Sequence, residues 1–345
     1  MASSGHLSIA KRIPAFWHSH LEAALTRSSL YAGKTDGSAR YVWTGIETPG
    51  IETSNGMWTD HIFNMATIAL GAYDYCELSG DRDFLRDAAY PVMRGCAEFY
   101  RLRAVYRMGD GRVIIGYCTD LERLGAGRLN AFMTTCGAAA TFNAAAASAD
   151  MLGVDADLAG QWRRLAEELL AHLPHDGEKY LPYPDCKEKS IAVLAGLCPF
   201  RSLPADNSLM VKAVDDFLAA GSAGNMYPMG KSICTWYAGW IAIALIRLGR
   251  YVQAWRFIED TANDTGCFSE IYEVHEKHLR PWFSTGEGCF THAVNELLQA
   301  VAREAGDKNS TAEIPDALRD FRFKLPSRNG TVSQVQIRSG KPVKA

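Results

Sequence analysis

Apolar residues recur at helical spacing through most of this chain, and the segments they define are joined by two kinds of link. Around Leu78-Ser79-Gly80-Asp81, Leu152-Gly153-Val154-Asp155 and Leu248-Gly249-Arg250, apolar-periodic runs flank a break only a few residues long. Gly stops one helix and, in the first two, Asp starts the next, so each break reads as the turn of an antiparallel helical hairpin. A fourth hairpin is expected from Ser190 to Cys198 and Asp206 to Ala220, around a Pro-containing turn at Pro199 to Pro204.

The remaining links are long: Val42 to Thr59, Gly109 to Leu129, Pro174 to Lys189, Gly221 to Lys231 and Thr265 to Cys289. Links of that length are usually functional or disordered, and these are too rich in Trp, Tyr and Cys for disorder. If each hairpin descends an inner helix and returns up an outer one, all five meet at one rim, where the inner helices start. Met133 to Met151 and Trp236 to Ile246 are apolar on every side, as buried inner helices are. Asp83 to Arg107 and Leu158 to Leu173 carry a charged face, as outer helices do. The pattern predicts an all-α toroid of helical hairpins, with an orthogonal helical bundle as the competing arrangement.

Outer helices are predicted at His6 to Arg27, Asp83 to Arg107, Leu158 to Leu173, Asp206 to Ala220 and Tyr251 to Thr261. Inner ones are predicted to start near Thr59, Asn130, Ser190, Ser232 and Cys289. The toroid is assigned to residues 1–305. In the remainder, 306–345, Phe321 to Lys324 and Val332 to Ile337 alternate like two strands joined at Asn329-Gly330, a small β tail.

Composition narrows the function classes. The chain has 345 residues and a net charge of −3, with no basic run, so no nucleic-acid partner is expected. No apolar stretch approaches a membrane span, and no signal peptide precedes Gly5-His6. The nine cysteines are scattered without a CxxC pair or zinc spacing, and read as small buried hydrophobes in a reducing, cytoplasmic compartment. His275 and His278 lack an i, i+4 partner or a third ligand, so no metal and no cofactor are assigned.

The run His61 to Tyr100, with Tyr73-Asp74-Tyr75-Cys76-Glu77-Leu78-Ser79-Gly80-Asp81-Arg82-Asp83-Phe84-Leu85 at its heart and Tyr90-Pro91 and Ala97-Glu98-Phe99-Tyr100 after it, resembles the six-hairpin (α/α)6 glycosidases. These include glycoside hydrolase families 95 and 65 and the α-L-rhamnosidases. Tyr41-Val42-Trp43-Thr44 is similar to their substrate loop. The resemblance continues through Asn130 and returns from Trp236 to Leu298. It implies a glycoside hydrolase acting on oligosaccharides or glycosides. It also implies six inner and six outer helices where five and five are counted, so the toroid is expected to lack one inner helix and the N-terminal part of the enzyme. The β tail would begin a C-terminal β-domain. There is no DDxxD run of the kind seen in terpene-cyclase toroids.

Glycosidic cleavage needs a carboxylic acid to protonate the leaving oxygen and a second carboxylate across the sugar, farther away when water attacks directly. In the resembled enzymes the acid lies on the loop matched by Gly116 to Gly125, which selects Glu122 first and Asp120 second, with Arg123 beside them. The bland alternative pairs these carboxylates with Arg123 or Arg128. The second carboxylate is assigned to Glu287 in Ser284-Thr285-Gly286-Glu287-Gly288, whose flanking glycines suit a close ligand approach. Glu270 and Glu273 are its rivals, facing opposite ways if their segment is a strand. Gly-Glu-Gly replaces the Asp-Gly-Asn of family 95, which argues against fucosidase activity, and the phosphorylase Arg-Thr-Ser-His-Gly-Ser loop is missing, which favours hydrolysis. Trp43, Trp58, Trp236 and Trp282 supply flat faces for pyranose rings, and Asp60, His61 and Asn130 are candidate hydroxyl contacts. A non-catalytic or truncated carbohydrate-binding toroid is the alternative function.

Overall fold

A computed structural model of the protein describes residues 5–43, 56–219, 228–229, 232–266, 269–273, 281–307, 309–326 and 332–343. These are mostly helical, with three small antiparallel sheets. The chain divides into two compact units, one of Leu7–Gly196 and Phe200–Ala213, the other of Met1–His6, Leu197–Pro199 and Val214–Ala345.

The first unit opens with three helical pieces, α1 (Leu7–Ala10), α2 (Arg12–Ser19) and α3 (Leu21–Ala32), where the pattern predicts one helix. Next comes α4 (Asn64–Ser79), which Gly80 ends in the left-handed region. Asp81 then caps the following turn by accepting from the Phe84 amide at 3.0 Å, and Lys11 holds Asp81 at 2.7 Å. The return run combines α5 (Arg82–Phe84), a π turn (Leu85–Ala89), α6 (Tyr90–Phe99) and a second π turn (Tyr100–Ala104). Strands β1 (Val105–Arg107) and β2 (Val113–Ile115) form a hairpin with Tyr106 opposite Ile114. Helices α7 (Phe132–Leu152) and α8 (Ala156–Ala171) follow, with Gly153 as the turn between them.

Helix α7 is buried on nearly every side, as its Ala-, Thr- and Cys-rich sequence predicts. Its small residues permit close crossing: a Cβ on Gly137 would lie 2.9 Å from the Ala66 Cβ of α4 and 3.1 Å from the Phe200 ring. By contrast α8 buries one stripe, Ala159, Trp162, Ala166 and Leu169, and the Trp162 indole donates to the buried Glu98 at 2.9 Å.

The helix expected from Ser190 to Cys198 is instead a six-residue 3-10 turn, Ile191–Gly196. Pro199 disfavours helical geometry at the preceding residue, and the chain folds straight back, bringing Leu203 to 2.7 Å from where a Gly196 Cβ would be. Next is α9 (Ser208–Leu218).

The second unit contains the short pair β3 (Pro228–Met229) and β4 (Ser232–Ile233), then α10 (Thr235–Arg247), α11 (Tyr251–Asn263) and α12 (Ser284–Gly306). The apolar α10 is buried almost throughout. Its Gly239 lies against α12 so closely that a Cβ there would sit 2.5 Å from the Cβ of Cys289. The tail forms β5 (Phe321–Pro326), β6 (Val332–Arg338) and β7 (Lys341–Pro342), with Phe321 opposite Ile337. Eight cysteines among the described residues are free thiols, all but Cys289 buried. No described helix is long and apolar enough to cross a membrane.

Candidate active site

In the first unit, the loop after β2 is fixed by its own backbone. Gly116 passes so close to Tyr106 that a Cβ would overlap the ring, 2.4 Å from Cε2. Cys118 and Arg128 then exchange both backbone hydrogen bonds, at 3.1 and 2.8 Å, closing a loop of residues 118–128. The Thr119 amide donates to the Asp60 carbonyl at 3.1 Å, and Thr119 forms a parallel bridge with His61. The loop is thereby stitched to the 3-10 turn Gly56–Asp60 that carries Trp58.

Within the loop, Glu122–Leu124 form one 3-10 turn closed by Leu124 and Gly125 amides. Buried Leu121 and Leu124 anchor it, which leaves Glu122 half-buried and Arg123 exposed. The ion pairs weighed for this loop do not form: among the described residues no cation holds Glu122 or Asp120. Arg128 instead donates to the Leu124 carbonyl and lies 4.5 Å over the Tyr183 ring.

Asp120 is fully buried at the start of α7. It accepts from the Thr134 amide at 2.7 Å and the Thr134 hydroxyl at 2.6 Å. The residue before α7 is Ala131, which offers no capping side chain, so Asp120 caps the helix from the loop. Burial pushes its carboxyl up to about 6 against these bonds, and its second oxygen has no partner among the described residues.

Trp43, His61 and Trp58 come together as a stack. The His61 ring is 4.5 Å from Trp43 and 5.4 Å from Trp58 between centroids, with interplanar angles of 16° and 15°. Phe63 meets the His61 ring edge-on at 5.1 Å. Burial lowers His61 to about 4, so it is neutral at pH 7. Asp60 is exposed beside the stack. Asn130 is buried in a left-handed conformation and donates to the His172 carbonyl at 2.7 Å, so its amide is tied into the fold.

In the second unit, a cavity of about 510 Å³ is lined by Glu287, Trp282, Phe290, Thr291, Thr265 and Ile271, among others. Such a volume is in the range of small-molecule sites. Glu287 is half-buried in the first turn of α12, and Trp282 is 58% exposed. Gly286 is explained by packing rather than by ligand approach, since a Cβ would lie 2.9 Å from Ile271 and 3.1 Å from the Thr235 hydroxyl. Gly288 faces open space. Glu270 is buried and accepts from the Tyr272 hydroxyl at 2.9 Å. The described part of its segment, through Glu273, is irregular rather than a strand. Trp236 lies edge-on to Trp240 at 5.0 Å, packed along its own helix. His275, Glu276 and His278 lie outside the described residues.

Sequence reasoning missed the cap made by Asp120, and Phe290 and Thr291 as lining residues. The first left no local motif, because the cap comes from a loop residue twelve positions before α7. The second pair follow Glu287 at helical spacing.

Comparison with known proteins bears on the same regions. Residues 32–298 match the glycosyl hydrolase family 95 catalytic domain. A kojibiose hydrolase of Mucilaginibacter mallensis is 27% identical over 338 residues, covering 93% of this chain and 45% of that protein, so the chain spans about half the length of that relative. A second kojibiose hydrolase, of Flavobacterium johnsoniae, is 26% identical over 102 residues, 28% of this chain and 14% of that protein. Among solved structures, a wild-type glycosidase superposes with a TM-score of 0.62 at 11% identity, over 84% of this chain and 81% of that one. A bacterial glucoamylase complexed with acarbose gives 0.53 at 12%, over 86% and 46%. A family 78 rhamnosidase of Bacillus sp. GL1 gives 0.53 at 12%, over 81% and 31%. At these identities the structures speak to the fold, that of the (α/α)6 glycosidases.

Proposed function

Because the chain belongs to the glycosyl hydrolase family 95 catalytic-domain family, we propose that it cleaves glycosidic bonds by inversion, with Glu122 as general acid and Glu287 as general base. The observation that carries this reading is the backbone stitch between the loop of Glu122 and the segment of Trp58 and His61. It holds a half-buried carboxyl, without an ion-pair partner among the described residues, on the same stitched segment as stacked aromatic rings, a combination suited to binding a sugar and protonating its leaving oxygen.

In the reaction, Glu122 gives its proton to the glycosidic oxygen as that bond breaks. Glu287 removes a proton from the water that attacks the anomeric carbon from the opposite side. Inverting pairs stand about 6.5–9.5 Å apart to leave room for that water. Trp43 and Trp58 are the candidate sugar platforms in the unit of Glu122, and Trp282 the candidate in the unit of Glu287. Arg123 and Asp60, both exposed, are candidates for hydroxyl contacts, as are Glu270 and Glu273.

Kojibiose, named for the relatives, is the first substrate to test. Proton NMR of the fresh product reports whether the anomeric configuration inverts. Glu122→Gln and Glu287→Gln should each lower kcat by about 10²–10⁴ in a folded protein. Unchanged turnover in either variant would remove that residue from its role.

A further inference from the structure

His61 and Thr119 are bridge partners in a parallel pairing, which places their side chains on the same face about 5 Å apart. Both are buried, 1% and 0% exposed. Neither the two ring nitrogens of His61 nor the Thr119 hydroxyl has a hydrogen-bond partner among the described residues. A neutral imidazole carries one donor and one acceptor, and a hydroxyl carries both. Each such group is costly to leave buried and unsatisfied, and native proteins meet that cost with ordered water.

The rings around His61 cannot supply the missing partners. Trp43 and Trp58 both stack on it and Phe63 approaches edge-on, so hydrogen bonding is confined to the rim of the imidazole, where the nitrogens lie. The Thr119 backbone is already engaged with Asp60, so its hydroxyl is the side chain's remaining polar group.

We propose that His61 and Thr119 form an internal water-binding site, and that this water locks the Trp43–His61–Trp58 stack to the loop that carries Glu122. The site is independent of which sugar is cleaved, and of whether Glu122 is the acid. It makes His61 and Thr119 positioning residues: the water fixes the imidazole, and the imidazole fixes the angle of the two indoles.

The test uses substitution of the hydroxyl alone. If Thr119 had no partner, Thr119→Val would remove a buried unsatisfied group and leave stability equal or higher. With a bound water, Thr119→Val lowers the midpoint of urea unfolding at unchanged slope, while Thr119→Ser keeps a hydroxyl and recovers most of the loss. A crystal structure of the unsubstituted chain, with and without kojibiose, provides the second measurement. Density for a water within hydrogen-bond distance of His61 and Thr119 in both crystals supports the site. A dry contact, or a direct His61–Thr119 hydrogen bond, overturns it even if Thr119→Val is too unstable to study. Loss of turnover in Glu122→Gln leaves these readouts unaffected, so the two readings fail separately.

Discussion

Asp120 caps helix α7 through Thr134, accepting from its amide at 2.7 Å and its hydroxyl at 2.6 Å. A loop residue thus does what a side chain at Ala131 cannot, and the loop of Glu122 is fastened to a helix buried on nearly every side. That explains how a segment with little regular structure can hold the Glu122 side chain in place.

Removing the cap should be expensive. Asp120→Ala leaves the Thr134 amide and hydroxyl without their acceptor in a buried setting, and is expected to destabilise by about 2–3 kcal/mol. Asp120→Asn keeps an oxygen for Thr134 and should lose less. Urea unfolding of the two variants decides the matter: equal losses would mean that the cap is not the source of the stabilisation.

Glycine contacts give a second prediction with opposite signs at two sites. Gly71 in α4 has no atom within 4 Å of a built Cβ, whereas Gly239 meets the Cβ of Cys289 at 2.5 Å and its backbone at 2.9 Å. Gly71→Ala should therefore stabilise by about 0.5–1 kcal/mol through helix propensity. Gly239→Ala should destabilise, because α10 and α12 must separate. Thermal unfolding midpoints that move in the same direction for both would contradict the close crossing.

Much of this was legible in the sequence, and the failures have physical causes. Gly80 and Gly153 announce hairpin turns because only a left-handed residue ends a helix so cheaply, and α7 and α10 declare their burial by lacking a polar face. The break of the first helix into three pieces was not legible, since Lys11 and His20 carry no breaker signature. The 3-10 turn at Ile191–Gly196 was hidden because a short apolar run reads alike as helix or as a buried turn. At the site, the sequence put Trp43 and Trp58 on one rim with Trp236 and Trp282 and read His61 as a hydroxyl contact; the stacking of His61 with Trp43 and Trp58 was not legible, because ring stacking leaves no spacing signature. The role of Asp120 was not legible, because a cap supplied from twelve residues before the helix leaves no local motif.

Trp282 offers a direct test of the cavity beside Glu287. It lines that cavity while remaining 58% exposed, so truncation should cost little stability. As a sugar platform it should contribute about 0.5–1.5 kcal/mol to binding. Trp282→Ala is then expected to raise KM by roughly 2- to 10-fold with kcat nearly unchanged. A fall in kcat at constant KM would instead assign Trp282 to the transition state.

Asp120 and His61 impose opposite pH dependences on the unit they share. Burial raises Asp120 from 3.8 to about 6, so the folded chain holds a proton that the unfolded chain gives up, and this contribution to stability is lost as pH rises from about 4 through 6. Burial lowers His61 from 6.5 to about 4, so the unfolded chain takes up a proton first, and stability is lost as pH falls from 6.5 towards 4. Over pH 4–6 the two slopes oppose each other, each amounting to up to about 2 kcal/mol. Asp120→Asn removes the first slope and leaves the second, so its unfolding free energy should fall more steeply on acidification than that of the parent chain. His61→Gln should do the reverse and flatten the acid side. Carboxylates held low elsewhere, such as Asp36, Asp81 and Asp155, contribute equally to parent and variants and cancel in the difference. Urea unfolding at half-unit steps between pH 4 and 7 supplies the curves, and parallel curves for all three proteins would show that neither group titrates as its burial requires.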